Sequence, residues 1–97
     1  MTDARRVVRL RIEGLVQGVG FRAFVEREGV ALGLDGWVRN RRDGGVEAVI
    51  AGPAPQVDAM VARCQEGPAH ARVAMVKVLD APELDRVGPG FDIRSTV

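Results

Sequence analysis

The chain has a single cysteine, a single histidine and no tyrosine, and each shortage bears on a class of function. With only Cys64, an intrachain disulfide is impossible. With only His70, neither a Cys/His zinc cage nor a Ser-His or Cys-His nucleophile pair is expected, so no metal site and no cofactor are expected. Long apolar runs are missing too: none exceeds four residues (residues 48–51 form one). The opening Met1-Thr2-Asp3-Ala4-Arg5-Arg6 leads into a strand pattern rather than the apolar core of an export signal. No membrane partner and a cytoplasmic location are therefore expected. Charge of one sign is also absent: 14 basic residues face 13 acidic ones, for a net +1. Splitting the chain after Ala48 shows no basic block that would suit a nucleic-acid partner.

What remains is an ordinary globular composition, 46% hydrophobic and 28% charged over 97 residues. That is enough for one small core and too little for two lobes, so one domain over residues 1–97 is expected, as a monomer.

Periodicity divides the chain into six or seven elements. Residues 7–13 alternate, with Val8, Leu10 and Ile12 on one face and Arg9, Arg11 and Glu13 on the other, as in a strand buried on one side. Gly14 to Gly20 is glycine-rich and reads as a loop, and residues 22–32 read as a helix closed by Gly33. Gly29 costs this helix about 1 kcal/mol against alanine, so it must dock through Phe24, Glu28, Ala31 and Leu32. Trp37 to Asn40 and Val46 to Ile50 flank Arg41-Arg42-Asp43-Gly44-Gly45, and Asp-Gly between strand patterns signals a hairpin. After Gly52-Pro53, Val57, Met60, Val61 and Cys64 fall at helical spacing, with Gly67-Pro68 as the stop. Residues 73–79 form a further strand, and Phe91 to Arg94 a short last one. The order βαββαβ, plus an edge strand, predicts an α+β ferredoxin-like (split βαβ) sandwich, an antiparallel sheet with both helices on one face. Arg9 and Arg11 belong on the open face.

Chemistry concentrates between the first strand and the first helix. Successive N–H groups of a glycine-bent loop can converge on an anion; a helix N-terminus adds about half a positive charge, and Arg22 brings a forked guanidinium. The glycines alone do not separate this anion cradle from a tight turn with a solvated Arg22. Gly18-x-Gly20-x-x-Ala23 also matches the dinucleotide fingerprint, but the chain lacks the second nucleotide-binding half and its first strand has a polar face. Asn40 shares a face with Val38, and two readings stay open: a hairpin-turn residue, or an amide that orients a water beside a phosphate. His70 is expected in solvent, Cys64 in the core, Trp37 as a core anchor of its strand, and Glu26 and Glu28 on a solvated helix face.

Val16-Gln17-Gly18-Val19-Gly20-Phe21-Arg22, then Asp35-Gly36-Trp37-Val38-Arg39-Asn40, then Asp43-Gly44-Gly45-Val46-Glu47, closely resembles the acylphosphatase family. Gly52-Pro53 and Phe91-Asp92-Ile93-Arg94 look similar as well, while Glu66 to His70 and Asp80 to Gly90 match loosely. The resemblance implies the same sandwich and an enzyme that hydrolyses acyl phosphates to a carboxylate and inorganic phosphate without metal or cofactor. It assigns phosphate binding to the amides of Val16, Gln17, Gly18, Val19, Gly20, Phe21 and Arg22, the phosphate-binding guanidinium to Arg22, and the water-orienting amide to Asn40. It further implies that the substrate's own phosphate accepts the water's proton. A carboxylate leaving group, whose conjugate acid has a pKa of about 4, needs no general acid, so the missing acid itself suits this substrate class.

Two alternatives use the same fold. One is the carbamoyl-phosphate-handling domain that opens the hydrogenase-maturation carbamoyltransferases, against which the short chain argues. The other is a non-catalytic phosphate-binding or RNA-binding module; for RNA, the open face offers Arg9 and Arg11 where aromatics are needed.

Overall fold

A computed structural model describes residues 4–97; the part of the export-signal reading that rests on residues 1–3 lies outside them. The elements follow in the order β1 (Arg5–Leu15), α1 (Phe21–Ala31), β2 (Asp35–Asn40), β3 (Val46–Pro53), α2 (Ala54–Glu66), β4 (Arg72–Asp80), a single 3-10 turn (Pro82–Leu84) and β5 (Phe91–Ile93). They form one sheet of order β4-β1-β3-β2-β5. The four longer strands pair antiparallel. β5 adds a parallel edge, with Gly36 opposite Phe91 and Val38 opposite Ile93, so the sheet as a whole is mixed. Two hydrophobic patterns of different period meet in this layer arrangement, the α+β ferredoxin-like sandwich that the element order predicts.

Val8, Leu10 and Ile12 of β1 are buried and join Val57, Met60 and Cys64 of α2 and Phe21, Phe24 and Val25 of α1 in the main core. α2 therefore docks through the stripe its spacing announces. α1 docks only in part as expected: Phe24 is buried and Leu32 packs against the core, but Phe21, Val25 and Gly29 are buried too, whereas Ala31 is exposed. Gly29 explains the shift. A Cβ there would lie 2.7 Å from the Phe91 ring, so the glycine that weakens the helix opens the space into which β5 packs.

Trp37 also departs from its expected place. Strand alternation turns Val38 toward the helices and Trp37 to the opposite face, where Trp37 packs with Val7, Val49, Ala51 and Val87 in a second, smaller apolar cluster. The guanidinium carbons of Arg39 and Arg94 each lie 4.7 Å from its ring centre. This second cluster is why β3 is buried on both faces. On the same face Glu47, 2% exposed, receives Arg9 at 2.5 Å, Arg39 at 2.7 Å and Arg41 at 3.4 Å. Arg9 and Arg11 do lie on the face away from the helices, but as ion-pair partners of Glu47 and Asp43. Burial pushes the Glu47 carboxyl up, and the Arg39 hydrogen bond with the charges of Arg39 and Arg9 outweighs it, leaving its pKa below the ordinary value.

Candidate active site

The loop from Val16 to Gly20 is held at both ends and free in the middle. Val16 and Phe21 are buried in the main core, and Phe21 packs edge-on against Phe24 with ring centres 5.7 Å apart. Between them Gly18 and Gly20 take positive φ values of 74° and 78°, a region that costs a side-chain-bearing residue about 1–2 kcal/mol. Gly20 is also the N-cap of α1, and the only bond made at that cap is the Phe24 N–H to the Gly20 carbonyl at 3.0 Å. A serine or aspartate at this position would satisfy the first N–H groups of the helix from within; glycine leaves them open. Among the described residues, no backbone N–H from Gln17 to Ala23 has a hydrogen-bond acceptor. The uncapped helix end, with no acidic residue in its first turn, is a standing invitation to an anion.

The loop and the helix end border a pocket of about 270 Å³ lined by Val16, Gly18, Gly20, Phe21, Arg22, Ala23, Asn40 and Ile93. No carboxylate lines it. Arg22, on the second helical residue, is half-buried, and none of the ion pairs among the described residues involves it. The neighbouring arginines of the sheet are occupied instead: Arg39 and Arg41 by Glu47. Asn40 ends β2, on the same face as Val38, and also lines the pocket. The structure thus brings Arg22, Asn40 and the glycine loop, 24 residues apart at their extremes (Val16 and Asn40), to one concavity.

The side chains of Gln17 and Val19 point elsewhere. Val19 packs against the core, and Gln17 donates its amide N–H groups to the carbonyls of Arg41 at 2.6 Å and Gly45 at 2.8 Å. Two lining residues escaped the sequence reading. Ala23 is the third residue of an uncapped helix, a position that the glycine N-cap could have flagged. Ile93 arrives through the parallel pairing of β5 with β2, extended by Arg94 N–H to Val38 carbonyl at 2.8 Å and Val97 N–H to Asn40 carbonyl at 3.2 Å; nothing local announces that pairing. Cys64 is buried in the core and His70 exposed, as expected. Glu28 is half-buried and pairs with Arg63 of α2 at 2.8 Å. Among the described residues no three His, Cys, Asp or Glu side chains gather as a metal cage requires.

Fold and site together define a class: a split βαβ sandwich in which a loop of unpartnered backbone amides, a guanidinium outside every ion pair and Asn40 border one pocket. Comparison with known proteins narrows it. The Acylphosphatase family model matches residues 8–93. The chain is 48% identical to an acylphosphatase of Rhodopseudomonas palustris (strain BisB18), covering 94% of this chain and 96% of that one. The crystal structure of acylphosphatase from Bacillus subtilis superposes with a TM-score of 0.87 at 34% identity, covering 94% of this chain and 99% of that chain. Full-length HypF in its phosphate- and nucleotide-bound form also matches, with a TM-score of 0.87 at 26% identity, over 99% of this chain and 13% of that chain. The chain belongs to the acylphosphatase family.

Proposed function

We propose that the pocket hydrolyses acyl phosphates to a carboxylate and inorganic phosphate. The observation that carries this reading is the convergence of unpartnered amides, the free Arg22 guanidinium and Asn40 on one cavity without a carboxylate. The transferred phosphoryl group spreads charge over three oxygens in a loose transition state, so the protein's task is to position it and stabilise that charge. The amides from Val16 to Arg22 and the Arg22 fork receive the phosphoryl oxygens. Asn40 holds a water on the far side of phosphorus. The water oxygen bonds to phosphorus as the bond from phosphorus to the acyl oxygen breaks, the electron pair leaves on the carboxylate, and the water's proton passes to a phosphoryl oxygen of the substrate. No protein acid or base takes part. The reading includes independence from metal and cofactor, one domain over residues 1–97 acting as a monomer, and a cytoplasmic location. Among the described residues no helix is long and apolar enough to cross a membrane.

Hydrolysis of benzoyl phosphate by the purified protein in EDTA tests it. Turnover is expected to survive chelation and to be inhibited competitively by inorganic phosphate. Arg22→Ala removes a charge-assisted donor, so both kcat and phosphate affinity fall, kcat by about a hundredfold or more. Asn40→Ala leaves phosphate binding near wild type and lowers kcat by about a hundredfold, the usual result of a misplaced reactant. Wild-type kcat/KM in both variants would refute the mechanism. Phosphate binding without any turnover would instead leave a phosphate-recognition module, a reading that the likeness to one segment of phosphate-bound HypF keeps in view.

A further inference from the structure

Gln17 stands inside the cradle sequence, yet its side chain leaves the pocket and spans to the β2–β3 hairpin. Its amide nitrogen uses both hydrogens, one on the Arg41 carbonyl at 2.6 Å and one on the Gly45 carbonyl at 2.8 Å. Only the amide NH2 can satisfy two carbonyls at once, which fixes the orientation of the group. These two carbonyls also close the turn: Gly45 accepts the Arg41 N–H at 2.8 Å, and Arg41 accepts the Gly44 N–H at 3.1 Å. Arg41 is the residue after Asn40. Among the described residues, the Gln17 bonds are the only hydrogen bonds between loop residues 16–20 and hairpin residues 40–45.

Two parts of the pocket come from separate elements, and in-line attack needs them in register. The cradle sits on a loop whose glycines carry little intrinsic rigidity, and a displacement of about 1 Å between reactants costs roughly a hundredfold in rate. We infer that Gln17 is a positioning residue: through its side-chain amide it sets the separation between the phosphate cradle and Asn40, so that bound phosphorus and the attacking water stand in line. The inference rests on the acyl-phosphate reading of this pocket. Gln17 does not touch substrate through this amide; it acts through Asn40.

A double-mutant cycle with two Gln17 variants tests the coupling. Gln17→Met keeps the length and loses both donors, and Gln17→Asn keeps the amide and shortens its reach. Near-UV circular dichroism and titration with inorganic phosphate establish that each variant is folded with its cradle intact. Expected for both is a fall in kcat on benzoyl phosphate of about tenfold, less than the roughly hundredfold of a full 1 Å displacement because the hairpin's own hydrogen bonds remain. The dissociation constant for inorganic phosphate should stay within about threefold of wild type. In an Asn40→Ala background the Gln17→Met change should cost less than about twofold, because the residue it positions is gone. Wild-type kcat in the two variants would overturn the inference, as would a tenfold loss that persists undiminished without Asn40, or a loss matched by weakened phosphate binding. If Asn40→Ala alone turned over benzoyl phosphate at the wild-type rate, the reading of the pocket would fail, whatever the Gln17 variants did, and the inference with it.

Discussion

Gly29→Ala sets helix propensity against packing, and the structure decides the sign. In an isolated helix the change favours alanine by about 1 kcal/mol, and Gly29 has no positive φ to oppose it. In the fold the new Cβ would sit 2.7 and 2.8 Å from two carbons of the Phe91 ring. Carbon atoms pack at about 3.5–4.0 Å, so ring and helix must part by roughly 1 Å. The same edge of the ring also lies close to Gly36, where an added Cβ would meet its Cε2 at 3.1 Å. The backbone there is pinned by Gly36 N–H to Gly90 carbonyl at 3.0 Å and Gly90 N–H to the Asp35 carboxylate at 2.8 Å. Overpacking in such a place costs about 2–3 kcal/mol, and subtracting the propensity gain leaves a net loss of about 1–2 kcal/mol. For a domain of this size the melting temperature should fall by about 5–10 °C. Urea unfolding at fixed pH measures the loss, with Phe91→Ala as the partner variant. Once the ring is removed, the same Gly29→Ala change should stabilise by up to about 1 kcal/mol. β5 also carries Ile93 to the pocket wall, so the single variant should raise KM for benzoyl phosphate. A Gly29→Ala protein as stable as wild type, or one destabilised equally with and without the Phe91 ring, would refute the reasoning.

The three arginines around Glu47 make stability depend on pH. Its folded pKa lies below the ordinary glutamate value of 4.5, so the carboxylate's contribution is present above that value and is lost as pH falls through the lower, folded one. Glu47→Gln should cost about 2 kcal/mol at neutral pH, between a fully buried pair and a surface pair because its arginines remain partly hydrated. The difference from wild type, followed by urea unfolding, should shrink below about pH 4.5; a difference constant from pH 7 to pH 3 would contradict this account. Burial, helped by the nearby Glu28 charge, pushes the Cys64 thiol up to about 12. Alkylation of native protein at pH 8 should therefore be about a thousandfold slower than in urea, and equal rates would place Cys64 at the surface.

Much of the fold was legible because it is written at short range. The alternation of Val8, Leu10 and Ile12, the stripe of Val57, Met60 and Cys64, and the Asp43-Gly44 turn each specify an element from a handful of neighbours. The geometry of the loop was legible for the same reason: glycines at residues 18 and 20 permit the positive φ values, and glycine as N-cap leaves the helix amides open. Only the tertiary structure decided the rest. Gly29 reads as a weak spot in a helix until Phe91, 62 residues later in the chain, is seen against it. Trp37 reads as core until the second face of the sheet is found to have a cluster of its own. Gln17 reads as one more residue of the loop until its amide is found on the hairpin, and Ile93 has no place in the site until β5 pairs parallel to β2. Periodicity and turn chemistry act between residues a few positions apart, whereas each of these contacts joins segments that meet only once the sheet is assembled, and no local pattern records them.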